Sequence, residues 1–141
     1  MRKKEKEHGM VISTKGRYAL RVMLDLAEHA GEGPIPLKDI AERQEISKKY
    51  LEIIVKDLVK AGLISGSSGK GGGYILDRQP CDYSIGEILE SSEGEMAAVA
   101  CLSSDADACP RASVCKTLPL WVEFDRVVHD FFYSKKLTDL L

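Results

Sequence analysis

Cys101, Cys109 and Cys115 stand in a run of Ser, Asp, Ala and Pro, with gaps of seven and five residues between them. Such surroundings do not suggest small buried hydrophobes. In a reducing compartment, thiols spaced this way hold metal or sense redox state more often than they form structural disulfides. Structural zinc draws on close Cys-x2-4-Cys pairs, which are missing here, so an iron-sulfur cluster is the favoured occupant. Cys81 lies apart beside Pro80 and is an isolated thiol outside that site.

A second group able to do chemistry is cationic. Lys48, Lys49, Tyr50, Glu52, Lys56 and Lys60 occupy the polar side of a helical pattern, mixing phosphate neutralisers with groups that meet base edges. The plainer alternative is a solvated outer face on a helical bundle. A third feature is the run Gly66-Ser67-Ser68-Gly69-Lys70-Gly71-Gly72-Gly73. It is not a nucleotide P-loop, because Ile64 stands where the first glycine is required and Gly71 where Ser or Thr must follow the Gly-Lys pair. As the tip of a hairpin it would let Lys70 approach a minor groove or backbone closely, the alternative being a plain flexible loop.

The elements that must position these groups are legible in the periodicity. From Ser13 to Ala30 the residues Ala19, Val22, Met23, Leu26 and Ala27 recur at helical spacing. After Gly31, Gly33, Pro34 and Pro36, a short helix with Leu37, Ile40 and Ala41 on one face ends near Gln44. Ser47 then suits an N-cap, flanked by Ile46 and Leu51 at the positions of a hydrophobic staple. The helix that follows has Leu51, Ile54, Val55, Leu58 and Val59 as its buried stripe and closes at Gly62. Two strand-like runs, Leu63 to Ser65 and Tyr74 to Leu76, flank the glycines. Ile85, Ile88 and Leu89 mark another short helix. A long last helix starts at Thr117, tolerates Pro119 in its first turn, and carries Trp121, Phe124, Val128 and Phe131, widened by Leu120, Val127 and Phe132.

Two short helices joined by a tight turn, then a Gly-rich hairpin, is the order of a winged helix-turn-helix whose second motif helix enters the DNA major groove. The expected fold is therefore mostly α with a small β-hairpin wing. Four segments follow: a charged arm at 1–9, a DNA-binding unit at 10–80, a short helix and cysteine-bearing loop at 81–116, and a dimerisation helix at 117–141.

With 141 residues and a net charge of -2, the chain is one domain of ordinary composition. The summed charge hides an asymmetry. Residues 1–21 carry seven Lys and Arg, including Arg17, against two Glu, whereas residues 84–115 set six carboxylates against Arg111 alone. The basic end suits phosphate. No apolar run could span a bilayer and no secretory signal precedes the first helix, so a cytoplasmic protein without a membrane partner is expected. Neither a Ser-His-Asp arrangement nor a pair of metal-binding histidines supports catalysis, and a non-enzyme is expected.

The stretches Ser13-Thr14-Lys15-Gly16-Arg17-Tyr18-Ala19, Glu42-Arg43-Gln44-Glu45-Ile46-Ser47 with Tyr50-Leu51-Glu52, Gly71-Gly72-Gly73-Tyr74 and the three cysteines stand in order. Together they resemble the IscR, NsrR and CymR family of winged-helix transcription regulators, over Met10 to Leu141. The resemblance implies a homodimer formed through the long last helix and a palindromic operator in double-stranded DNA. In cluster-bearing members it implies a three-cysteine site, here with a 2Fe-2S cluster favoured over 4Fe-4S. Departures from the family pattern are specific. Leu118 replaces the histidine that serves IscR-like members as fourth ligand, and Arg17 stands where other members place a carboxylate from the partner's first helix. His129 is about 16 Å further along the last helix at roughly 1.5 Å per residue. Asp105, Asp107 or His8 remain as candidates. A wing arginine common in relatives is Ser68 here, which leaves Lys70 as the nearest cation.

The expectation is a regulator in which assembly or loss of the cluster moves the acidic loop and the dimer helix, changing the spacing of two reading heads. Two alternatives stand beside it: a cluster-free cysteine-metabolism or thiol-switch regulator of the same fold, and a redox or metal-handling protein that does not bind DNA.

Overall fold

The computed structural model describes residues 12–94, Leu102 and 109–141. Helix α1 spans Thr14–Glu28, capped by the Ser13 hydroxyl, which accepts from the Gly16 amide at 3.2 Å. It buries Ala19, Val22, Met23 and Leu26, the stripe expected from the spacing. Helix α2, Leu37–Gln44, turns into α3, Lys48–Lys60, through Glu45 and Ile46. The Ser47 hydroxyl accepts from the Tyr50 amide at 3.2 Å, and Ile46 and Leu51 are both buried, as a capped and stapled turn requires.

Val59 departs from the expected stripe of α3. Leu51, Ile54, Val55 and Leu58 are buried, but Val59 is 41% exposed. At about 100° per residue it lies about 90° from the centre of the other four, on the flank and not beneath α1 and α2. The helix closes with the paired bonds of a Schellman motif: Gly62 N–H donates to Val59 O at 3.0 Å and Leu63 N–H to Leu58 O at 3.1 Å, with Gly62 at φ +74°.

Glu45 solves the same problem at the end of α2 with a worse residue. It occupies the left-handed region at φ 53°, where a Cβ is disfavoured and glycine is not. Glu45→Gly should therefore raise stability by about 1 kcal/mol, read as a higher denaturation midpoint at unchanged m. An unchanged or lower midpoint would show that the Glu45 side chain contributes as much as its backbone costs.

Strands β1, Ile64–Ser67, and β2, Gly73–Leu76, pair antiparallel with Ile64 opposite Leu76 and Ser67 opposite Gly73. Both extend further into the glycine run than apolar residues alone suggested, because backbone pairing does not need them. Tyr74 also exchanges two backbone bonds with Ile35, at 2.8 and 2.9 Å, which ties the wing to the segment entering α2. Gly73 is required there, since a Cβ would lie 2.3 Å from the Ile35 carbonyl carbon.

A 3-10 turn, Pro80–Asp82, leads to Tyr83, which is fully buried and donates its hydroxyl to Leu63 O at 2.6 Å. Helix α4, Ile85–Glu93, opens on a reciprocal capping box between Ser84 and Glu87. Its far end returns to α1, where a Glu93 carboxylate oxygen accepts from the Ser13 amide at 2.7 Å and the Ser13 hydroxyl at 2.6 Å. Helix α5 runs Leu118–Ser134 with Pro119 in its first turn. Its last turn rests on α4, where Gly86 leaves room for the Tyr133 ring; a Cβ would come within 2.4 Å of it. The helix stops at Ser134, and the final residues fold back as a 3-10 turn, Leu137–Leu140, that inserts Leu137 into the core. Leu137 N–H donates to Tyr83 O at 3.0 Å and Ile85 N–H to Lys135 O at 2.8 Å, so the base of α5 is anchored from both sides.

Candidate nucleic-acid interface

The outer face of α3 presents Lys48, Lys49, Glu52 and Lys56 to solvent. The cap and staple fix the direction of this helix, so these side chains project from a rigid platform. Tyr50 differs. It is half-buried and meets the Tyr18 ring edge-on, with centroids 5.7 Å apart at 79°. In α1, Arg17 is exposed and donates to Thr14 Oγ1 at 3.2 Å, while Lys15 pairs with Asp57 of α3 at 2.5 Å. Lys70 is exposed at the tip of the wing between Gly69 and Gly71, both at positive φ. Adding a Cβ at Gly72 would drive it to 2.5 Å from Ser67 O, so the tight tip depends on glycine.

A buried polar group that the periodicity gave no reason to single out holds the motif together. Asp25, only 1% exposed, lies on the flank of α1 that faces the end of α2. Arg43 of α2 donates to its two oxygens from Nε and Nη2, at 3.0 and 2.7 Å, and the Gln44 amide adds a third bond at 3.0 Å. His29 lies 3.8 Å away. Buried carboxylates survive only when satisfied in this way. No periodic signal marks it, because at about 100° per residue Asp25 lies more than about 100° from the centre of the apolar stripe and is buried by partners from α2.

Burial alone would push the Asp25 carboxyl upward, but the bonds from Arg43 and Gln44 outweigh it and hold its pKa below the ordinary value. A lowered folded-state pKa means the stabilisation is complete above the unfolded value, about 3.9, and is lost as pH falls through the folded value. Asp25→Asn should thus lower the melting temperature at pH 7 by roughly 5–10 °C, from charge-assisted bonds worth about 1.5–3 kcal/mol. The gap to the unmodified protein should narrow below pH 4. A gap independent of pH would mean that the ionised form of Asp25 is not what matters.

Of the three expected ligands, Cys101 lies outside the described residues, as do His8, Asp105 and Asp107. Cys109 is exposed and Cys115 partly so, and neither is in a disulfide. The Cys115 sulfur lies 3.4 Å from Thr117 Oγ1, and that bond, with those from the Thr117 and Leu118 backbone, holds the thiol below its usual pKa. Among the described residues no three His, Cys, Asp or Glu converge as a metal site. His129 is occupied elsewhere, 3.7 Å from Glu90 and stacked on Tyr133 at 4.3 Å. No helix among the described residues is long and apolar enough to cross a membrane.

A capped helix-turn-helix with a lysine-rich outer helix, followed by a glycine-tipped hairpin, defines a winged-helix DNA-binding protein. A family model described as Rrf2, iron-dependent transcriptional regulator, matches residues 12–141. The chain is 38% identical over 132 residues to protein rrf2 of Nitratidesulfovibrio vulgaris, covering 94% of this chain and 87% of that one. It is also 38% identical to the transcriptional regulator IscR of Aliivibrio salmonicida, covering 94% and 77%. The solved structure of CymR, the global cysteine regulator of B. subtilis, superposes with a TM-score of 0.73 at 37% identity, covering 92% of this chain and 95% of that one. The chain belongs to the Rrf2 family and is a DNA-binding transcription regulator.

Proposed function

We propose that α3 reads operator DNA through Lys48, Lys49, Tyr50, Glu52 and Lys56, that Arg17 and Lys70 hold the backbone on either side, and that Cys101, Cys109 and Cys115 hold an iron-sulfur cluster that sets operator affinity. The carrying observation is the exposed cationic first turn of α3, fixed by the Ser47 cap and by buried Ile46 and Leu51. The donor chemistry also fits: Cys109 and Cys115 are thiols of one segment outside any disulfide, and hydrogen bonding to Thr117 and the Leu118 backbone holds the Cys115 thiol below its usual pKa. A bound cluster would supply an iron centre sensitive to oxygen, nitric oxide and redox state. Cys115 stands two residues before Thr117, the cap of α5, so restraining Cys115 restrains the first turn of the helix proposed to join two copies.

A second reading, a regulator responding through its thiols without a cluster, is supported by Leu118 at the fourth-ligand position and by the likeness to CymR.

DNA reading is tested on duplex selected by the purified protein from a randomised pool. Lys48→Ala and Lys49→Ala should weaken binding across sequences and each reduce the slope of log K against log salt by about 1. Glu52→Ala should instead change base preference by about 1–3 kcal/mol at one position. Unchanged affinity, slope and preference in all three would remove α3 as the reader.

A further inference from the structure

The polar network does not stop at Asp25. The same Gln44 amide that donates to Asp25 turns its oxygen toward α1, where Arg21 Nε donates to it at 3.2 Å. Arg21 Nη2 also donates to the main-chain oxygen of Gln44, a carbonyl at the C-terminal end of α2 that no later helical amide can satisfy. The guanidinium carbon lies 5.1 Å from the centroid of the Tyr18 ring, and Tyr18 in turn meets Tyr50 edge-on in the first turn of α3. A continuous chain of contacts therefore runs from buried Asp25 through Gln44, Arg21 and Tyr18 to the helix that carries the reading residues.

We infer that Arg21 is a positioning residue for DNA recognition, setting the register of α3 against α1 by clamping the end of α2 and backing the Tyr18–Tyr50 pair, without itself contacting DNA. The proposal rests on α3 being the reader. Its physical basis is that Arg21 is anchored at both ends of one residue. The fork takes the side-chain and main-chain oxygens of Gln44 together, immediately before the Glu45–Ile46 turn, and so fixes where α3 begins. The planar face left over packs on Tyr18, and an ammonium cannot reproduce both functions. Specific recognition needs base-reading groups held within a fraction of an ångström, whereas non-specific phosphate binding tolerates a shifted helix. Loss of Arg21 should consequently reduce discrimination more than attraction.

The test compares the anaerobically purified protein with Arg21→Leu, Arg21→Lys and Gln44→Leu, on the selected duplex and on a scrambled duplex of equal length, over a range of salt. Gln44→Leu changes no charge and leaves the Arg21 cation in place, so it separates positioning from phosphate contact. If the proposal holds, all three variants lose about tenfold or more in the ratio of specific to non-specific affinity, the equivalent of one charge-assisted bond, at unchanged salt slope. Melting curves confirm that each is folded at the assay temperature. If Arg21→Leu lowers the slope by about 1 while Gln44→Leu binds normally, Arg21 touches phosphate and the positioning role is overturned. Full rescue by Arg21→Lys would overturn it too, since charge alone would then suffice. If Lys48→Ala and Lys49→Ala leave binding unchanged in the same assay, it is the assignment of α3 as reader that fails.

Discussion

Anaerobic reconstitution with iron and sulfide should give the unmodified protein a visible chromophore, and Cys101→Ser, Cys109→Ser or Cys115→Ser should each abolish it. The expected effect is near total. A cluster on three thiolates with an unusual fourth position has no spare donor, and serine is a poor substitute for a soft ligand. Cys81→Ser should leave the chromophore intact. Cys81 sits in the 3-10 turn between β2 and α4, its sulfur 3.9 Å from Asp82 Oδ1, beside the buried Tyr83 anchor. It is thus fixed to the body by its neighbour and not carried in the segment that holds the other three. Absence of a chromophore in the unmodified protein, or the same chromophore after Cys109→Ser, would remove the three-thiol site and leave the thiol-responsive reading. Because a weakly held iron is easily lost in air, only the anaerobic sample decides.

The helix-turn-helix was legible because its determinants are local. Ser47, Ile46, Leu51 and Gly62 act within a few residues of themselves, and the structure uses each as its type and spacing suggest. What escaped the sequence is made of long-range partners. Asp25 is explained only by Arg43 and Gln44, 18 and 19 residues away, and Tyr83 by the carbonyl of Leu63, 20 residues back. Leu137 follows the end of the α5 periodicity, so nothing local shows that the chain returns to the core there. Val59 was misplaced for the opposite reason: spacing alone put it in the stripe, and the elements packed on α3, among them α1, α2 and α4, decide how wide that stripe is. Tyr50 was legible as part of the first turn of α3, but its packing on Tyr18 from another helix was not.

The unmodified protein is expected to sediment as a dimer at micromolar concentration, and a double substitution on α5, Phe124→Asp with Phe131→Asp, should leave a monomer of 15.5 kDa. No residue of α5 is buried within the protomer, and Leu120, Trp121, Phe124, Val127 and Phe131, which share one side of the helix, are between 36% and 58% exposed. An apolar face of this extent, on a helix that among the described residues is anchored at its base, is the kind of surface a second copy would cover, and twofold symmetry would set the same face against itself. Symmetry also doubles the perturbation, because each new carboxylate enters a desolvated surface in two copies. Dimer affinity should fall at least about 100-fold, close to 2.7 kcal/mol. Binding to a palindromic duplex should fall further, by roughly 10²–10⁴, because linking two half-site contacts is what converts the second into an intramolecular event. Affinity for an isolated half-site should remain, since Ser47, Ile46 and the Asp25 network that hold α3 lie in the other helices. If the unmodified protein is already monomeric at micromolar concentration and binds the palindrome fully, the interface is elsewhere or absent. If the double variant loses half-site binding as well, α5 supports the reading helix within one chain, and its exposed face does not act through a second copy.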